Sequence, residues 1–146
     1  MRLPSGPVQV RIGRPAPDAA LRPSGILTAY NPLSRTVGPH ANEAAGARLR
    51  RLVERLRVPF APAVGVPDDP EMRKAWTEPG LALLGDVRPI VVALARRFGQ
   101  NAVVWTDAEG RVRLVATRGG FGGCEVGEEV PEPAANESAD RGARAR

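Results

Sequence analysis

Cysteine occurs once, at Cys124, in a chain of 146 residues. An internal disulfide is therefore excluded, and so is any metal site built on paired thiolates. A reducing cytoplasm suits such a chain. Lysine is as scarce: Lys74 stands alone among 21 basic residues, so arginine supplies the other 20 (21 − 1). Aromatics make up 4% of the chain, too few for the row of stacking rings with which RNA-recognition sheets hold bases. No stretch approaches the roughly 20 apolar residues of a membrane span, and the opening Met1–Pro7 lacks the apolar run of a signal peptide. Walker A, G-x-G-x-x-G, HExxH and G-x-S-x-G patterns are all missing. Their absence removes the usual phosphate loop, the zinc-protease helix and the serine elbow. No cofactor and no metal are expected, and a membrane partner is not.

Charge is abundant and unevenly placed. The isoelectric point lies near 10.8. Arginine, alanine, glycine and proline all have GC-rich codons, so this basicity by itself does not make nucleic acid the expected partner. Residues 1–24 carry +3 and residues 25–118 carry +5, from 14 basic and 9 acidic side chains. Residues 119–146 carry −3, from 3 basic and 6 acidic side chains.

The length suits one domain with extensions. Residues 1–24 hold five prolines and read as an irregular leader, apart from a short Val8–Ile12 alternation. Residues 25–117 carry the periodic patterns of a single α+β domain. Residues 118–146 are rich in Gly, Ala and Glu, with too little apolar content to offset the entropy of ordering, and read as a disordered tail.

Within the domain, Gly25–Asn31 reads as a strand stopped by Pro32. Asn42 reads as the N-cap of a helix whose Leu49, Leu52, Val53 and Leu56 recur at i, i+3, i+4 and i+7. Phe60–Val66 reads as an edge strand, since Pro59 and Pro62 do not suit a central one. A polar loop, Asp68–Pro79, follows. Leu81–Leu84 is a continuous apolar run that fits a strand covered on at least part of both faces. Asp86 then caps a second helix with Val87, Ile90, Val91, Leu94 and Phe98 buried, ended by Gly99. Ala102–Thr106 and Arg111–Thr117 form a hairpin across Asp107–Gly110. The order βαββαβ plus one strand is that of a ferredoxin-like sandwich with both helices on one sheet face.

That topology carries three polar motifs to one sheet edge: Tyr30-Asn31-Pro32, Trp76-Thr77-Glu78 and Gly99-Gln100-Asn101. Asn31 has an ordinary account as a turn former; as a site residue it offers an amide that donates and accepts together. Trp76 is either a loop plug or a lid. Glu78 is either a loop anchor or, if half-buried, a carboxylate with a raised pKa. Gln100 satisfies helical carbonyls or faces a ligand. His40, the lone histidine, has no partner in sequence that would mark it as catalytic.

Ile26-Leu27-Thr28-Ala29-Tyr30-Asn31-Pro32, Asn42 before a Leu-rich helix, Trp76-x-Glu78 and Phe98-Gly99-Gln100-Asn101-Ala102-Val103 together resemble the bacterial family called domain of unknown function 3293. The resemblance spans about residues 25–117 and implies a domain without implying an activity. The chain departs from the family pattern at Ala41, where an acidic residue is usual, and at Gly46, where a polar residue often sits. Both departures would thin a polar network around the first helix.

Three functions follow as expectations. The first is a binding or interaction module using Tyr30, Asn31, Asn42, Trp76, Glu78 and Gln100 for a small polar ligand or a peptide. The second is a hydrolase or transferase with Glu78 as general base and His40 or Asn31 orienting the substrate. The third is weak nucleic-acid binding through Arg48, Arg51 and Arg55, which share one face of the first helix.

Overall fold

A computed structural model describes residues 7–131. Apolar alternation and the two amphipathic stripes organise them into an α+β domain with a five-stranded antiparallel sheet and three helices. In chain order these are β1 (Ser24–Thr28), α1 (Pro39–Leu56), β2 (Phe60–Gly65), α2 (Arg73–Trp76), β3 (Glu78–Leu84), α3 (Arg88–Arg97), β4 (Ala102–Thr106) and β5 (Val112–Ala116). The sheet order is β2-β3-β1-β4-β5, every neighbouring pair antiparallel. Strand β1 is central: Ile26 lies opposite Ala82 on one side and Val104 on the other. Strand β2, with Pro62 inside it and Pro59 just ahead, takes an edge.

Side-chain alternation gives the sheet two faces. On one face Leu27, Leu81, Leu83, Val103 and Trp105 pack against Leu49 and Val53 of α1, Val91 and Leu94 of α3, and Phe98 just beyond it. The opposite face is covered by the two ends of the described chain. Val8, Val10 and Leu21 lie on Ile26, Ala82 and Leu84. Phe121, Cys124 and Val130 lie on Leu114 and Ala116. This double covering explains why Leu81–Leu84 is apolar at every position.

The expected tail needs correction over its first part. Residues 118–131 are ordered against β5: Val130 N–H donates to the Leu114 carbonyl at 2.8 Å, and Ala116 N–H to that of Glu128 at 2.9 Å. The leader also contributes to the fold, with Ala16 N–H donating to Gly110 O at 2.7 Å. The remainder of both segments, residues 1–6 and 132–146, lies outside the described residues. Among the described residues no helix is long and apolar enough to cross a membrane.

Two caps also differ from expectation. Helix α1 opens at Pro39 after Gly38, three residues before Asn42, because proline at the first helical position has its φ already set and no N–H to satisfy. Helix α3 follows Val87, and Asp86 makes no capping bond. The Asp107–Gly110 turn forms as expected: Asp107 accepts from the N–H groups of Glu109 and Arg111.

Candidate functional site

The chain leaves β1 through Ala29 and Tyr30 and enters a tight turn, Pro32–Ser34. Three non-glycine residues here have positive φ: Asn31 at 47°, Leu33 at 56° and Ser34 at 56°. Left-handed backbone costs an L-residue on the order of 1–2 kcal/mol, with Asn the mildest case. Such a loop persists only where its surroundings over-determine it.

Several segments do so. Asn42, one turn inside α1, accepts from Asn31 N–H at 2.8 Å and donates from Nδ2 to Asn31 Oδ1 at 3.1 Å. Asn31 Oδ1 also accepts from Val37 N–H at 3.2 Å, and its Nδ2 donates to Glu78 Oε1 at 2.9 Å. Leu33 N–H donates to Gly99 O at 2.6 Å. Asn101 Nδ2 donates to Ser34 Oγ at 2.8 Å. Gln100 Nε2 donates to the Tyr30 carbonyl at 3.0 Å and to that of Phe98 at 3.3 Å. Gly99 adopts φ 68° to end α3, and a Cβ there would lie 2.9 Å from Pro32 Cβ, so the helix end abuts the turn directly.

Asn31 is 6% exposed and Asn42 8%, so their amides are engaged with each other and with backbone. Glu78 is half-buried at the start of β3. Burial pushes its carboxyl above the usual range, and the hydrogen bond from Asn31 offsets part of this. A carboxyl raised in the folded state stabilises the fold fully below its ordinary value of 4.5, and this contribution is lost as pH rises through the folded pKa. Glu78→Gln keeps an acceptor for Asn31 and removes the charge. Its melting temperature should match the parent's near about pH 4 and exceed it near about pH 8. A variant less stable than the parent at the higher pH, in thermal melts, would contradict this.

Tyr30, Asn31, Asn42, Glu78 and Gln100 are thus gathered at one sheet edge. Tyr30 lies over Gly46 of α1, with a ring carbon 3.2 Å from the Cβ position there. The network around Asn42 uses neither Gly46 nor Ala41. Trp76 ends α2 half-buried and makes no hydrogen bond within this network. His40 is exposed in the first turn of α1, without a side-chain bond to any described residue. Among the described residues no group of three or more His, Cys, Asp or Glu is placed to hold a metal ion.

Beside this edge a groove of about 620 Å³ opens between α1 and the C-terminal end of α3. Its buried base includes Ala29 and Phe98, with Leu52 partly covered. Pro32, Leu33 and Gly99 form the end contributed by the strained turn. Arg48, Arg51 and Arg55 of α1 and Arg96 and Arg97 of α3 line it as exposed side chains. Glu78, Trp76 and His40 are not among the lining residues. Leu33, Arg96 and Arg97 escaped the sequence reading. Basic side chains in the last turn of a helix ordinarily answer its dipole, which is all that Arg96 and Arg97 signal in sequence, and Leu33 stands out only as an apolar residue between Pro32 and Ser34.

Fold and site together define a small α+β domain with a strained loop walling an arginine-lined groove. The chain belongs to a family described as protein of unknown function (DUF3293), whose model matches residues 27–103, more than half of its length. The match runs from Leu27 in β1 to Val103 in β4 and includes Asn31, Asn42, Glu78 and Gln100. No curated protein and no solved structure matches the chain.

Proposed function

We propose that this chain is a binding module whose site is the loop edge at Asn31 together with the adjoining groove, taking a small polar ligand or a peptide. The observation that carries this reading is the left-handed backbone at Leu33. A bulky apolar side chain, 41% exposed, sits there at a cost in backbone energy, and its position is on the groove wall. Strain concentrated beside a concavity is a recurring mark of sites where geometry matters more than stability. In this reading the Asn31–Asn42–Glu78 network holds the wall in place, and Gln100 fastens the strand exit to the end of α3.

The strand order and the two crossover helices on one face support a ferredoxin-like sandwich with an added hairpin strand, which we adopt as the architecture. A bacterial, cytoplasmic setting accompanies the proposal: the family resemblance supports the first and the single free cysteine suits the second. Hydrolase or transferase chemistry through Glu78 has less behind it. The raised pKa suits a base, but one carboxylate oxygen is held by Asn31 and the residue does not line the groove.

The test uses Leu33→Asn, since asparagine adopts left-handed backbone more readily. Relief of about 1 kcal/mol should raise the melting temperature by a few degrees. Ligand-induced melting shifts, found by screening the parent against small metabolites and peptides, should shrink in the variant. Undiminished shifts in Leu33→Asn would refute the groove as the site.

A further inference from the structure

We propose that the groove binds a phosphorylated small molecule of about nucleotide size, its phosphoryl groups held between the arginines of α1 and α3 and its apolar body on Phe98 and Leu52. The proposal rests on the binding-module reading and names the ligand class for it.

The first ground is the concentration of unpaired arginines around one depression that no carboxylate lines. Some arginines of the domain are ion-paired: Arg50 with Glu54 at 3.3 Å, Arg11 with Asp68 at 3.1 Å and Arg111 with Asp107 at 2.6 Å. Arg14, Arg35, Arg57 and Arg118 outside the groove are not, so what marks the groove is the gathering of five unpaired guanidinium groups around one depression. None of Arg48, Arg51, Arg55, Arg96 and Arg97 makes an ion pair or a side-chain hydrogen bond with a described residue, and no carboxylate lines the groove. Arg50 and Arg51 are adjacent on the same helix and differ in this respect: Arg50, away from the groove, is neutralised by Glu54 and lies 5.4 Å over the Phe60 ring, while Arg51, in the groove, is not. Like charges drawn from two helices around one depression repel each other until an anion is shared between them.

The second ground is the chemistry of the donors. Guanidinium forks match phosphate oxygens in pairs and hold geometry as well as charge. Arg48, Arg51 and Arg55 stand on one helix wall at i, i+3 and i+7, with Arg96 and Arg97 across from them, so a ligand with more than one phosphoryl group can be held from both sides. The third ground is size and lining. A volume of about 620 Å³ falls in the range of small-molecule sites. Its apolar base suits a ring system, whereas the single lining aromatic, Phe98, provides no row of platforms for successive bases of a nucleic-acid strand.

Calorimetric titration of the full-length protein decides the matter, using adenosine triphosphate, pyrophosphate, adenosine, a single-stranded oligonucleotide and a glutamate-rich peptide as probes. Adenosine triphosphate should bind one to one, about tenfold more tightly than pyrophosphate because of its apolar body. Adenosine alone should not bind measurably. The double variant Arg51→Glu, Arg97→Glu should weaken binding of the triphosphate at least about 100-fold, as two charge-assisted contacts become repulsive. Arg51→Gln with Arg97→Gln, a milder change, serves if the reversal impairs folding and should cost at least about tenfold. The charge-matched control Arg14→Glu, Arg118→Glu, outside the groove, should stay within about twofold, the range left to long-range field effects.

Binding that survives both groove variants overturns the proposal. So does an oligonucleotide that binds far more tightly than the triphosphate, with affinity falling steeply with salt, or a peptide that binds where the triphosphate does not. A neutral ligand that binds the groove while every phosphate fails overturns the ligand class and leaves the binding module standing. If a full metabolite screen also finds nothing, both fall.

Discussion

Gly80→Ala is expected to be the most damaging single-methyl change in the domain, lowering stability by about 3 kcal/mol or more. Gly80 lies in β3 opposite Thr28 of the central strand and Ala63 of the edge strand. A Cβ on it would stand 2.3 Å from the Leu27 carbonyl oxygen, 3.1 Å from the Leu27 carbonyl carbon and 3.3 Å from Thr28 Cα. All three atoms belong to backbone, so no side-chain rotation can relieve the overlap. Only a shift of β1 against β3 can, and that shift would strain the pairing at the middle of the sheet. Thr28 Oγ1, which donates to Pro79 O at 2.8 Å, would be displaced with it. For a domain of this size the loss corresponds to about 10 °C or more in melting temperature. Gly119→Ala, where the added atom meets nothing within 4 Å, is the matched control and should be nearly neutral. Comparable melts for the two variants would disprove the close approach of β1 and β3.

Asn31→Ala should follow closely, at about 3 kcal/mol. The change removes one side chain that accepts from Val37 and Asn42 and donates to Glu78. It also leaves the Asn42 amide buried with half its bonding lost, and unsatisfied buried polar groups cost more than the bonds they once made contribute. Alanine is, in addition, poorly suited to φ 47°. Asn31→Gly deletes the same hydrogen bonds without the backbone penalty, so it should be more stable than Asn31→Ala by about 1 kcal/mol. Chemical denaturation of the three proteins measures both terms. Equal stability of the alanine and glycine variants would mean that the loop is unstrained at Asn31.

The strands and helices were readable because their signals are local. Leu49, Val53, Val91 and Leu94 repeat at helical spacing, and Leu81–Leu84 is apolar throughout. The meeting of Asn31, Asn42 and Glu78 was also within reach, since a βαββαβ order sends a strand exit, a helix start and the entry to β3 to one edge. What could not be read depends on geometry that no window of sequence contains. Asn42 looked like a cap because it precedes the leucine stripe, whereas Gly38 and Pro39 start the helix earlier and free Asn42 to reach Asn31. The left-handed turn at Leu33 is imposed by Gly99 and Asn101, more than sixty residues away in the chain. Arg96 and Arg97 acquire a relation to Arg48 and Arg51 only through the packing of α3 beside α1. The stretch around Cys124 and Val130 looked unable to fold because it has too few apolar residues to offset the entropy of ordering, yet those few fit a patch on β5 that already exists.

That fit has a practical side. The family match ends inside β4 and begins inside β1, and a worker trimming the gene to those limits, or to the periodic stretch 25–117, would strip the outer face of the sheet. Ile26, Ala82, Leu84, Leu114 and Ala116 would then face water as one broad greasy surface, of the kind that drives soluble proteins to associate. Expression limits for crystallisation or binding work belong outside residues 7 and 131, and affinity tags belong beyond them.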